Sequence, residues 1–153
     1  MTDPQPRVFE GPRVLVVEDD FILALDLQFH LRDAGAEVVG PVHGGAEALA
    51  LLKSDPLPDG AILDVNLDGE MVFPVADLLR GHDIPMVFIT GCDRNILPAA
   101  HADAPCFEKP LNLVQCLDTL SGAIRESSAS RRKPQICRAG STAIRAAGRF
   151  VRQ

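Results

Sequence analysis

Apolar residues come in short runs, separated by polar stretches of helical length. Arg13-Val14-Leu15-Val16-Val17 is a continuous, largely β-branched run, the pattern of a strand buried on both faces. Glu18-Asp19-Asp20 ends it. Asp20 predicts an N-cap, and residues 21–34 follow as a helix with Asp26, His30 and Asp33 in a polar stripe and Gly35 as its stop. Residues 37–40, 60–64, 85–90 and 104–108 read as four further strands. Between them, 46–53 and 71–80 read as helices, with Pro74 best placed in a first turn. Pro98 limits 94–101 to a short helix. Leu113, Leu117, Leu120 and Ile124 mark a last helix, with Asn112 as candidate N-cap. Five strands alternating with five helices predict an α/β fold, a doubly wound parallel sheet with helices on both faces. Ligand sites of such sheets lie at the carboxyl ends of the strands.

Composition narrows this to one domain with a short extension. The chain has 153 residues, 46% of them hydrophobic, enough for a full core. No apolar run approaches the roughly 18–20 residues of a membrane span, and residues 1–12 lack the apolar stretch of a signal peptide. A cytoplasmic protein is expected. Cys92, Cys106, Cys116 and Cys137 are irregularly spaced and read as unpaired thiols, and His30, His43, His82 and His101 show no ligand spacing and read as surface residues. The net charge of −6 conceals an asymmetry. Residues 1–126 hold all 21 acids against 8 basic residues, a balance of −13, while 127–153 hold 7 basic residues and no acid. The expected organisation is a disordered segment over 1–12, a folded domain over 13–126 and a basic, mostly disordered tail over 127–153, in which 143–152 can form one short amphipathic helix.

The candidate chemistry gathers at strand ends. Glu18 and Asp19 follow the first strand, Asp64 ends the third, Thr90 ends the fourth, and Lys109-Pro110 follows the fifth. The fold would bring these groups to one edge. Three carboxylates held together repel one another and are stabilised by a hard cation such as Mg2+. Asp64 could then accept a phosphoryl group, with Lys109 neutralising charge and the Thr90 hydroxyl donating a hydrogen bond. Taken singly, the acids read as helix caps and a solvated loop acid, and Thr90 and Lys109 are uninformative. Their order along the chain carries the assignment. Neither GxxxxGK nor GxGxxG occurs, so nucleotide hydrolysis and dinucleotide binding have no support.

Val16-Val17-Glu18-Asp19, Leu63-Asp64-Val65-Asn66, Ile89-Thr90-Gly91 and Glu108-Lys109-Pro110 together resemble the receiver domain of two-component response regulators, over about residues 13–125. The resemblance implies a flavodoxin-like sheet of strand order 2-1-3-4-5. It matches Asp64 to the phosphoacceptor, Asp19 to a direct metal ligand and Glu18 to an acid bridged to the metal through water. Asn66 matches the position whose backbone carbonyl binds metal, Thr90 the switch hydroxyl, Lys109 the phosphoryl-pairing lysine, and Pro110 the proline that follows it, usually through a cis bond. The sequence departs from the family in four places. Asp68 stands where receivers carry proline, and Cys106 where they carry the switch aromatic. The stretch from Thr90 to Lys109 is short. Phe88-Ile89-Thr90-Gly91 is similar to a Phe-Ala-Thr-Gly motif of single-domain alphaproteobacterial receivers, but Asp93 replaces the aromatic that follows it there.

The resemblance implies a stand-alone bacterial receiver, a phosphoacceptor rather than an enzyme. It would take its phosphoryl group from a histidine kinase or histidine phosphotransfer protein and signal or relay by protein–protein contact, through the face near the fourth and fifth strands and last helix. A monomer or weak homodimer is expected, with no clear nucleic-acid target. The alternative is a phosphorylation-independent binding module acting through the basic tail. An aspartate-nucleophile phosphatase would need a second acid two residues after the nucleophile, where Asn66 stands.

Overall fold

The first strand, β1 (Arg13–Val17), forms where the sequence places it, and the chain then alternates strand and helix to the end of the domain. After β1 come α1 (Phe21–Asp33), β2 (Glu37–Val42), α2 (Gly45–Ser54) and β3 (Gly60–Asp64). A small hairpin follows, β4 (Asn66–Leu67) and β5 (Glu70–Met71), then α3 (Phe73–Gly81), β6 (Met86–Thr90), a 3-10 turn (Ala99–His101), β7 (Cys106–Glu108) and α4 (Leu113–Arg132). The structure is a computed structural model that describes residues 11–54, 56–91 and 97–132. The segment before residue 11, the tail from 133 with its expected short helix, Cys92, Asp93 and Cys137 lie outside the described residues.

The main sheet is parallel, in the order β2-β1-β3-β6-β7. Counting only its own five strands, this is the expected 2-1-3-4-5. Every residue of β3 and β6 is buried, as is Val14–Val17 of β1. These runs are apolar throughout because both faces of the sheet are covered. Alternate residues divide between two cores. Leu15, Val17, Leu63 and Phe88 pack towards α2 and α3, while Val14, Val16, Ile62, Val87 and Ile89 pack towards α1 and α4. Cys106 and Cys116 are buried thiols in these opposite cores. Burial pushes the Cys116 thiol up to about 12, so it serves as a small apolar group.

Helix starts follow the sequence closely. Asp20 caps α1 by accepting from the Ile22 and Leu23 amides, a contact worth about 1 kcal/mol. Asn112 accepts from the Gln115 amide at the start of α4. Pro74 stands in the first turn of α3, where its missing N–H costs nothing. Three features differ from expectation. Of the expected short helix over 94–101, residues 97–101 are described, and they hold the 3-10 turn in place of an α-helical turn. α4 continues to Arg132, across the boundary that composition places at 126/127. The hydroxyl of Ser127, within that continuation, donates to the Asp83 carbonyl at 3.4 Å. The β4–β5 hairpin is the third difference, and it adjoins the candidate site.

Candidate functional site

β1 and β3 are neighbours, so the residues that end them meet at the carboxyl edge where the chain reverses its winding direction. Asp64 is the last residue of β3 and is only 3% exposed, and Glu18, just past β1, is fully buried. Lys109 follows β7 at the far edge, and its chain reaches across β6. Its Nζ lies 3.1 Å from Asp64 Oδ2 and 3.4 Å from Glu18 Oε2. Thr90 ends β6 between them; it is buried, and its carbonyl accepts from the Lys109 amide at 2.9 Å. The Lys109–Pro110 bond is cis, as is Gly40–Pro41.

One lysine serves three clustered acids at this edge. Ligand atoms of Glu18, Asp19 and Asp64 lie within 4.8 Å of one another. Glu18 Oε2 accepts from the Asp20 amide at 2.9 Å and from Lys109, but Glu18 Oε1 is buried with no partner. Burial, and then the close Asp64 carboxyl, push Glu18 up to about 8. Burial pulls Lys109 down, and the adjoining Asp64 and Glu18 outweigh it, leaving the ammonium above its usual range. A buried carboxylate oxygen with nothing to bind, beside two further carboxylates, fits a hard divalent cation. Glu18, Asp19 and Asp64 are the groups that would hold it.

Asn66 adjoins the acceptor position differently. Its amide donates to Asp64 Oδ1 at 3.2 Å, and its side-chain oxygen accepts from the Gly69 amide at 2.7 Å. The latter bond closes the hairpin, whose turn is Asp68-Gly69 with φ of +54° and +92°. Two successive positive φ values suit Asp-Gly, the common dipeptide of such turns. Proline, fixed near −65°, cannot occupy position 68 in this conformation. The departure at Asp68 therefore has a physical cause: the loop after Asp64 is a hairpin. The Val72 amide closes its base on the Val65 carbonyl at 3.0 Å.

Two features near the site carry no motif. Phe21, Ile22, Leu25 and Phe29 lie exposed along the outer side of α1, a strip that begins three residues past Glu18. His101, read from the sequence as a surface residue, is fully buried. A 3-10 turn is too short to show periodicity, and the surroundings of His101 come from distant parts of the chain. Among the described residues, no helix is long and apolar enough to cross a membrane.

No protein-family model matches the chain. It is similar to the phyllosphere-induced regulator PhyR of Methylorubrum extorquens, 27% identical over 124 residues, which are 78% of this chain and 46% of that protein. The chain spans about half the length of the curated relatives it matches. Among solved structures it is similar to SdrG from Sphingomonas melonis Fr1, 35% identical with a TM-score of 0.64, covering 74% of this chain and 96% of that one. The response regulator receiver protein from Burkholderia phymatum is 30% identical with a TM-score of 0.64, covering 74% of this chain and 95% of that one. With the same fold, and relatives of this identity covered almost end to end, the chain belongs to the receiver domains of two-component response regulators.

Proposed function

We propose that this receiver, in residues 13–126 with α4 extending it to Arg132, accepts a phosphoryl group on Asp64 from a phosphohistidine and signals by binding other proteins. The observation that carries the reading is the Asp64 carboxylate itself. It stands at a strand end, held on one oxygen by Lys109 Nζ and on the other by the Asn66 amide, beside a buried acid with an unpartnered oxygen. An Asp64 oxygen attacks phosphorus as the P–N bond to the donor histidine breaks. The leaving imidazole keeps the electron pair of that bond and the proton on its other nitrogen. Lys109 pairs with charge on the transferred group, and the Thr90 hydroxyl donates to one of its oxygens. Mg2+ held by Asp19 and Asp64, by the Asn66 carbonyl and through water by Glu18 would supply charge neutralisation for the incoming phosphoryl oxygens.

A protein donor must place its histidine at this edge. The exposed strip of Phe21, Ile22, Leu25 and Phe29 adjoins the acids and offers apolar area for that contact. The test is phosphotransfer from purified, autophosphorylated histidine kinases to the full chain. Label should pass to wild type in the presence of Mg2+ and should not pass to Asp64→Asn or in EDTA. A set of the organism's own kinases that never labels wild type would overturn the reading.

A further inference from the structure

Outside the acidic edge, the buried polar side chains among the described residues are His101 and Ser121. The His101 ring has partners at both nitrogens and two aromatic neighbours. Its Nε2 lies 2.7 Å from Asp77 Oδ1, and Arg80 Nε lies 3.4 Å from its Nδ1. Arginine can only donate, so Nδ1 accepts and Nε2 carries the proton, donating to Asp77. The ring stacks on Phe73 at a centroid distance of 6.0 Å and 12°, and meets Phe88 edge-on at 5.6 Å and 65°. Phe73 and Phe88 also touch, at 6.2 Å.

The origin of each ring decides what the cluster can transmit. Phe73 opens α3 one residue past Val72, whose amide closes the hairpin that leaves Asp64. Phe88 lies two residues before Thr90 and therefore on the same face of β6. His101 lies on the connection from β6 to β7, which ends by delivering Lys109. Its polar partners reach the surface. The side chains of Asp77, Arg80 and Asp103 are 68%, 43% and 77% exposed, and Arg80 Nη2 binds Asp103 Oδ1 at 2.9 Å. One buried ring thus joins two rings tied by short lengths of backbone to Asp64 and Thr90 with an exposed charged triad, Asp77 and Arg80 on α3 and Asp103 after the 3-10 turn.

We propose that His101 is a positioning residue that couples the acceptor loop to this triad, making the surface of Asp77, Arg80 and Asp103 the part of the molecule that changes when Asp64 is modified. The inference rests on the acceptor reading above. A shift of the hairpin or of Thr90 displaces Phe73 or Phe88. A close-packed ring cluster answers by changing arrangement rather than by stretching. The two directional bonds of His101 then re-aim Asp77 and Arg80.

The test compares amide NMR spectra of the full chain before and after acetyl phosphate with Mg2+, for wild type, His101→Phe and the paired surface variant Asp77→Ala/Arg80→Met, which has no side-chain partner to offer either ring nitrogen. His101→Phe keeps the stacking and removes both hydrogen bonds. Phosphoryl incorporation should stay within about twofold of wild type in both variants, because none of these residues touches the acceptor. Phosphorylation-induced shifts at 73–80 and 97–104 should be present in wild type and lost in both variants, while shifts around 64–71 remain. In unmodified wild type, imidazole 15N shifts should report the Nε2–H tautomer. If the triad shifts persist undiminished in His101→Phe, the inference fails alone. If His101→Phe does not fold, persistence in the surface variant overturns it equally. If wild type takes up no phosphoryl group, the acceptor reading fails and this inference with it.

Discussion

Among the described residues, the acidic edge and His101 are both buried polar centres, and they are built on opposite terms. At His101, both ring nitrogens have partners, and the ring stacks on Phe73 and meets Phe88 edge-on. At the acidic edge, Glu18 Oε1 has no partner, and one ammonium, that of Lys109, pairs with two of the three clustered acids. A satisfied buried group fixes a conformation, whereas an unsatisfied one costs stability until something binds. The contrast separates what holds the fold from what the fold is built to receive. Changes at the edge should therefore alter chemistry and its pH dependence, and changes around His101 should alter what the chemistry moves.

The largest expected effect is on rate. Lys109→Met should slow phosphoryl incorporation from acetyl phosphate by roughly a hundredfold or more, the usual consequence of removing one charge-stabilising donor. Timed intact-mass measurements check this, and a loss below about tenfold would place the lysine outside the reacting geometry.

The next effect is on stability and its pH dependence. Between the ordinary 4.5 and about 8, folded Glu18 retains a proton that the unfolded chain has released. Stability without metal should therefore fall as pH rises through that window, by at most a few kcal/mol. Mg2+ competes with that proton, so adding it should flatten or reverse the slope. Glu18→Gln should remove the slope in EDTA and weaken the response to Mg2+. Thermal melts at pH 5, 6.5 and 8 test all three statements, and a melting temperature that rises with pH in EDTA contradicts them.

A smaller effect concerns the turn that frames the acceptor. Asp68→Pro places a residue fixed near −65° where the backbone holds +54°, so it should cost about 1–3 kcal/mol and speed amide exchange across 66–71. Unchanged exchange there would mean that the hairpin is not held by its turn. The smallest effect belongs to the surface. Asp103→Ala removes an exposed partner of Arg80 and should shift stability by about 0.5 kcal/mol or less. A larger loss in denaturant titration would show that the triad helps to hold His101.

Much of the fold was legible because it is local. The third strand has the expected bounds, and Asp20 and Asn112 cap the helices they were assigned, because buried runs and capping residues act over a few positions. Asp64, Thr90 and Lys109 were legible as strand-end residues, and a parallel sheet collects its strand ends at one edge. Asp68-Gly69 was a turn signal in plain view, but the stretch reads first as an acidic loop, and the hairpin went unpredicted. The helical reach of α4 to Arg132 was hidden by serines that suggest a linker. His101 was not legible at all, because α3, β6 and the turn that bury it are joined only by folding.

Everything above depends on Asp64 working as an acceptor at a metal-binding edge. The most direct measurement is the intact mass of the full chain after acetyl phosphate, with Mg2+ and with EDTA, for wild type and Asp64→Asn. Wild type should gain one phosphoryl group, the gain should require Mg2+, and Asp64→Asn should show none. A gain that survives in Asp64→Asn, or no gain in wild type with either acetyl phosphate or a phosphorylated kinase as donor, would contradict it.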